Sequence, residues 1–311
     1  MDEHRERYAI VRMCKALGVS SSGYYAWRSR SLSRRAAGDQ VLQRRIETIH
    51  AESRGIYGSP KIHARRQQEG LACSRKRVIR LMRQAHVCAK RPRCFKRTTQ
   101  RHPAHIAAPN RLKQNFAATQ PNQVWLADIT YVRTAEGWLY LAAVMDLYSR
   151  RILGWAMNAS MSDALTQQAL TMALERRQVR PRQLIHHSDR GSQYTSDSYQ
   201  QLLRQHQIQV SMSSTGNCFD NAPMESFFSL LKTELVHHER DATRQAARTS
   251  LFDYIEVFYN RQRIHGATDY LSPADYELRW LHDFTGKKTT HASFPPAGLL
   301  CLNTLSTKTD H

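Results

Sequence analysis

The chain has no run of 18 or more apolar residues, and its opening Met1-Asp2-Glu3-His4-Arg5-Glu6-Arg7 carries no apolar signal core. These absences argue against a membrane-spanning helix and a secretory leader, and set the expectation of a cytoplasmic protein without a membrane partner. Six cysteines, none in a C-x-x-C pair, are too few and too scattered for a disulfide framework. Cys88, Cys94, His102 and His105 are spaced unlike a common zinc site, so reduced, scattered cysteines are expected there. No apolar heptad run marks a coiled coil.

Acidic residues are scarce in one half only. Residues 1–120 hold 27 Lys and Arg against 7 Asp and Glu, whereas residues 121–311 hold 19 of each, so the whole surplus of +20 lies in front. Solubility alone would not confine it so. A basic module that grips a polyanion, joined to a neutral module that does chemistry, accounts for the division. The 41% hydrophobic fraction over 311 residues suffices for one substantial core with one or two small satellites.

In the basic half, Ile10, Met13, Cys14 and Leu17 recur at helical spacing and Gly18 ends the stripe. A serine-capped second helix with Tyr24 and Tyr25 follows, so residues 1–30 read as a helix-turn-helix-like fragment with those tyrosines as candidate DNA contacts. After a polar linker at 30–39, residues 40–87 read as a basic helical DNA-binding region. Val41, Leu42, Ile46 and Ile49 outline one helix, Ser59-Pro60 caps and opens a second that carries Lys61, and Ser74 caps a third. In the third, Val78, Ile79, Leu81 and Met82 face inward while Arg75, Lys76, Arg77, Arg80 and Arg83 line the rest, without an acidic neighbour on that helix. Phosphate contact is the expectation for them and for Lys61. Residues 88–120 read as a basic linker that orders on DNA.

From Asn122 the pattern turns to strands at "QVWLADITYVRT", "GWLYLAAVMDLYS" and "RRILGWAMN", an antiparallel meander. A helix over "SDALTQQALTMALERR", a strand at "PRQLIHHSD", a helix, a strand at "IQVSMS" and a helix from about 221 to 235 follow. This order predicts an α/β, ribonuclease-H-like fold with a mixed five-stranded sheet, preceded by a small all-helical region.

Three carboxylates stand out. Asp128 lies inside the apolar first strand, where a charge needs a cation or hydrogen-bonding partner. Asp189 lies just past a central strand, before the turn-forming Gly191, and Glu225 lies on the last helix of the set. Two strand-borne aspartates and one helix-borne glutamate provide hard oxygen ligands for Mg²⁺ or Mn²⁺, as a pair of ions about 4 Å apart serving phosphodiester chemistry. A satisfied strand carboxylate, a turn cap and an ordinary first-turn glutamate are the competing readings of the three taken singly.

"WLADITYVRT" with Asp128, "HHSDRGSQYTS" with Asp189 and "SMSSTGNCFDNAPMESFFSLLKTEL" with Glu225, the last two separated by 35 residues, resemble the OrfB portion of IS3-family transposases and, more broadly, the retroviral-type integrase core. The resemblance implies metal binding at Asp128, Asp189 and Glu225 for DNA 3′-end cleavage and strand transfer, and contact of Lys232, two helical turns along the same face, with transposon-end DNA. Arg190 joins it as a candidate contact. "YIEVFYNRQRIHGATDYLSPADY" is similar to the family's closing motif through Tyr259, Asn260, Arg263, His265, Ser272, Pro273 and Tyr276, and gives Arg263 and His265 as further DNA candidates. Ile264 stands where the family often has proline, and Thr268-Asp269 replaces its commoner Leu-Gly.

The implied organisation is a catalytic domain with a C-terminal helical extension at 121–282 and a partly ordered tail at 283–311. The implied partners are double-stranded DNA of transposon ends and target, a second or further copy of the chain, and an upstream OrfA product, with the protein associated with the chromosome. A ribonuclease-H-like nuclease without strand transfer and an inactive DNA-binding regulator are the alternative readings.

Overall fold

A computed structural model describes residues 1–90, 108–214, 218–239 and 241–285. Helices α1 (Ile10–Ala16) and α2 (Ser21–Ser29) meet at Gly18, whose φ of +68° suits glycine, and Ser20 caps α2 by accepting the Gly23 N–H at 3.0 Å. The polar stretch expected as linker at 30–39 is largely helix. Ser33 accepts the Ala36 N–H at 3.1 Å, so α3 (Arg34–Glu52) opens there. In α4 (Ser59–Gln68) the cap position falls on Gly58 rather than Ser59, while Ser74 caps α5 (Arg75–Gln84) as expected through the Arg77 N–H at 3.3 Å. Ile46, Ile49, Ile62, Val78 and Leu81 lock α3, α4 and α5 together in a dry interior, whereas Ile79 is only half-buried.

Strands β1 (Val124–Thr134), β2 (Gly137–Asp146) and β3 (Ile152–Asn158) form the meander, and β4 (Ile185–Ser188) and β5 (Gln209–Met212) join in parallel to give the order β3-β2-β1-β4-β5. The mixed five-stranded sheet and the helical region before it are those expected of an integrase-type, ribonuclease-H-like chain.

Period-two alternation gives the sheet two apolar faces. Trp125, Ala127 and Val144 pack under α6 (Asp163–Arg176) and α8 (Asp197–Gln205), with the short α7 (Ser192–Thr195) between those helices. There Gly154 lets β3 touch α6, since a Cβ at that position would fall 2.0 Å from the Ala169 carbonyl oxygen and 2.7 Å from the Ala173 nitrogen. On the other face, Leu126, Leu139 and Leu141 belong to one continuous core with Met224, Phe227 and Phe228 of α9 (Ala222–Leu231) and with the α3–α5 interior.

The end of the chain clamps these parts together. A π-helical turn, Lys232–Val236, extends α9, and another, Asp253–Tyr259, extends α10 (Arg244–Phe252) before α11 (Pro273–Thr285). Tyr57 of the front half accepts the Ile264 N–H at 2.9 Å, and Arg54 meets Asp253 at 2.5 Å. Two boundary expectations change. Leu112 is buried, Phe116 and Ala118 pack against the same core, and the Arg111 N–H donates to Ser211 Oγ at 2.9 Å, so this part of the 88–120 stretch is docked by its apolar residues. Helix α11 continues to Thr285, past the expected start of the tail at 283; the rest of that tail lies outside the described residues, as do Cys94, His102 and His105.

Candidate active site

Strand β1 parts from β4 early. The parallel ladder pairs only Val124–Leu126 with Ile185–His187, so the β1 edge beyond Leu126 is open on that side. Asp128 lies two residues past the fork, and Asp189 follows the last residue of β4. Divergence of neighbouring strands at such a place makes a crevice beyond their carboxyl ends. Asn221 spans it by donating its Nδ2–H to the Ala127 carbonyl at 3.1 Å, which satisfies a backbone acceptor that the missing ladder would leave bare. Helix α9 starts at the next residue and carries Glu225 in its first turn.

The electrostatics report the convergence. Asp128 is pushed up to about 8, first by burial, then by the charge of Asp189 and more weakly by that of Glu225, against the Ile129 N–H that it accepts at 2.7 Å. Asp189 is exposed by area, yet protein withdraws enough water from its carboxyl to hold it above the ordinary range, opposed by the Gly191 N–H at 2.9 Å. Lys232 supplies an opposing positive field at Asp128; desolvation pulls its own proton affinity down, and its ammonium lies 4.9 Å over the Tyr131 ring.

The hydroxyl of Tyr194, fully buried and within the fields of Asp128 and Asp189, has no hydrogen-bond partner among the described residues. Beneath Asp189, His187 bridges Ser211 at 2.8 Å and Ser213 at 3.2 Å, and burial drives it down to about 4. His186, down to about 3, meets Tyr199 at 2.9 Å. Both are neutral supports of the strand, not charged participants.

Among the described residues, no three carboxylate, imidazole or thiol groups are already gathered around one ion-sized point. The donor set nonetheless fits a hard divalent cation. Three acidic side chains act on one crevice, and the innermost resists ionisation because it is buried and faces like charge that Lys232 only partly offsets, a condition that a bound cation relieves.

The candidate DNA contacts divide sharply. Arg75, Lys76 and Arg83 are exposed along α5, and Arg190 is exposed at the crevice rim with its Nε–H on the Ser213 carbonyl at 2.7 Å. Helix α5 carries no acidic residue of its own, as read from the sequence, but a neighbouring helix supplies one to two of its cations. Asp39 of α3 takes Arg77 at 2.7 Å and Arg80 at 2.5 Å, and both arginines hold its carboxyl below the usual range. Tyr25 is exposed, but Tyr24 is turned inward with its hydroxyl on Asp2 at 2.7 Å.

Lys61 is half-buried over the Tyr57 ring, where loss of water and the nearby Arg263 bring it down to about 7. Arg263 and His265 lie inside the protein. Arg263 grips Glu234 at 2.5 and 2.8 Å, Tyr254 donates to the same carboxylate at 2.7 Å, and the His265 ring meets Tyr259 edge-on. The closing motif is therefore a fastening of the fold. Asn260 in it accepts from and donates to the Ile152 backbone, both at 2.9 Å, and Asp269, which replaces a commoner glycine, sits at φ +53°.

Sequence reasoning missed Asn221, although "DNAPM" was visible, as well as Tyr194 and Glu234. It also missed Glu277, which ties α11 to Ser149 at 2.7 Å, Arg151 at 2.7 Å and Arg177 at 2.6 Å. No spacing rule points to partners so far apart along the chain.

Residues 118–218 and 225–281 match two models of the integrase core domain, and residues 37–95 match an HTH-like domain. The chain is 44% identical over 268 residues to the insertion element IS600 uncharacterized 31 kDa protein of Shigella sonnei, covering 86% of this chain and 98% of that one. It is 40% identical over 279 residues to transposase InsF for insertion sequence IS3A of Escherichia coli (strain K12), covering 89% of this chain and 96% of that one. Among solved structures, the HTLV-2 integrase catalytic core domain in complex with magnesium (trimeric form) aligns at TM-score 0.41 and 14% identity over 52% of this chain and 99% of that one. The simian T-cell lymphotropic virus intasome in complex with PP2A regulatory subunit B56 gamma aligns at 0.44 and 13%, over 85% and 80%.

Proposed function

The chain belongs to the IS3-family insertion-sequence transposases, and from that premise we propose that it is a DDE-type polynucleotidyl transferase whose Asp128, Asp189 and Glu225 hold the catalytic metal. The observation that carries this reading is the meeting of three acidic fields at the fork between β1 and β4. In the proposed reaction, water attacks the phosphodiester at an element end and leaves a 3′-hydroxyl. That hydroxyl then attacks a second phosphodiester, so that one P–O bond forms as another breaks. A pair of Mg²⁺ or Mn²⁺ ions held by the three carboxylates would supply Lewis-acid polarisation and charge neutralisation at the phosphate.

Each residue has a separate task. Asp128 stands inside β1 and Asp189 just past the end of β4, and Asn221 fixes the start of the helix that carries Glu225. In this reading Lys232, whose charge reaches Asp128, meets a DNA phosphate, as does Arg190 at the rim. Arg75, Lys76 and Arg83 extend the grip along α5. Because two element ends must meet, the working unit is an assembly of two or more copies on DNA, with an OrfA product as partner or fusion.

The test is labelled DNA carrying the element's own ends, incubated with the chain and Mg²⁺ or Mn²⁺, with and without the upstream product, and resolved into cleaved and joined strands. Joined strands support the proposal. Cleavage that never proceeds to joining would replace it with the nuclease reading, and no reaction under any of these conditions would bring forward the DNA-binding regulator.

A further inference from the structure

At the far end of the β1–β2 hairpin, two large aromatic rings stand in solvent. Tyr131 is 47% exposed and Trp138 45%, and they touch edge to face with centroids 5.1 Å apart and planes at 81°. The register explains the meeting. Trp138 lies opposite Arg133, and Tyr131 precedes Arg133 by two residues, so all three share one face of the hairpin. Mutual contact of the rings leaves about half of each surface in water. A pair serving only the fold would be expected to bury more.

The surroundings are cationic. Lys232 lies over the Tyr131 ring and its charge also reaches Asp128, so one cation links the pair to the carboxylate crevice. Arg133 is exposed on the same face. Arg244 donates from Nε to the Trp138 carbonyl at 3.1 Å, fixing the hairpin end, and its backbone N–H occupies Glu136, the acidic residue of the hairpin tip, at 2.9 Å.

We propose that Tyr131 and Trp138, flanked by Lys232 and Arg133, form a stacking platform for an unpaired base of the DNA end held at the carboxylates. This inference rests on the DNA-end reading above. Aromatic faces interleaved with cations are the means by which proteins hold unpaired nucleic acid, because every base has a π-face and every nucleotide a phosphate. Bases inside a duplex are stacked on one another, so a ring beside the cutting site gains a partner only where the end is opened. Stacking there holds the frayed strand in place while its backbone lies in the crevice.

The experiment compares a short blunt duplex with the same duplex carrying an unpaired tail at one end. Binding is read by fluorescence anisotropy without added divalent metal, so that no strand is cut. A 2-aminopurine at the first unpaired position reports stacking directly. The full chain is expected to bind the tailed duplex about fivefold or more tightly than the blunt one and to quench the 2-aminopurine. Trp138→Ala and Tyr131→Ala should each remove most of that preference, measured against each variant's own blunt-duplex affinity, and most of the quenching, and Trp138→Phe should keep them. Equal affinity of the full chain for both duplexes, or unchanged quenching in both alanine variants, would overturn the platform. Because this readout needs no chemistry, it is separate from the strand-joining assay. Joining that proceeds while the platform test fails removes only the platform, and base stacking without joining removes only the enzymatic reading.

Discussion

Asp128→Asn is expected to stabilise the metal-free protein at alkaline pH while ending its reaction. Burial and the neighbouring carboxylates lift Asp128 from 3.8 to about 8, so the folded chain holds this proton more tightly than the unfolded chain does. The stability it contributes is fully present below about pH 4, falls as pH rises and is lost through about pH 8. At roughly 1.4 kcal/mol per unit, the upper bound above that range is about 6 kcal/mol. Partial exposure and relaxation at a strand fork reduce this to about 2 to 3 kcal/mol. Asparagine keeps the shape without the charge, so at about pH 8 in a chelator the variant should melt roughly 5 °C or more above the wild type, and at about pH 5 the difference should shrink towards zero. Thermal unfolding followed by circular dichroism reads both. Adding Mn²⁺ should raise the wild type and leave the variant nearly unmoved. Parallel melting curves at the two pH values, or a variant less stable at the higher one, would refute the reasoning.

Other substitutions probe other parts of the molecule. Glu234→Gln leaves the buried Arg263 without its charge partner and should cost about 3 kcal/mol in chemical denaturation; a change below about 1 kcal/mol would mean that water reaches the pair. Gly154→Ala drives a methyl into the α6 backbone and should destabilise by more than about 2 kcal/mol or prevent soluble expression, where wild-type melting would contradict the packing of β3 on α6. Replacing Arg75, Lys76 and Arg83 together by Gln should flatten the salt dependence of DNA binding by close to one unit of log–log slope for each phosphate no longer neutralised. Arg77→Gln, whose side chain is engaged with Asp39, should instead lower stability and leave that slope nearly unchanged.

Local chemistry was legible in the sequence where it acts over a few residues. Ser74 caps the helix it was expected to cap, a serine opens α2 as read, the strand alternation around Trp125 and Leu126 sorts the two faces of the sheet, and the element order gives its mixed five-stranded character. Asp128 stood out as a carboxylate in an apolar strand, whereas Asp189 and Glu225, ordinary when taken singly as a turn cap and a first-turn glutamate, were picked out by their joint placement and by the motifs around them.

Partnerships across the chain were not legible. Five cations on α5 look alike in sequence, and only the fold brings Asp39 to Arg77 and Arg80 while Arg75, Lys76 and Arg83 stay open. Arg263 and His265 resemble a DNA-binding pair until Glu234 and Tyr259 are seen to enclose them. The π-helical turns after α9 and α10 had no local signal either, although each buries side chains, Leu235 in the first and Phe258 in the second. The same limit hid Asn221, whose hydrogen bond to Ala127 joins two parts of the site distant in sequence.

The most direct test of the central claim is strand joining on the element's own ends by the wild type and by Asp128→Asn, Asp189→Asn and Glu225→Gln in parallel, with DNA affinity measured beside each. Joined product that requires Mg²⁺ or Mn²⁺ is expected from the wild type, and none from any of the three variants, although all still bind DNA. Joined product that persists in any one of them, or that forms in the presence of a chelator, would contradict the assignment of the three carboxylates.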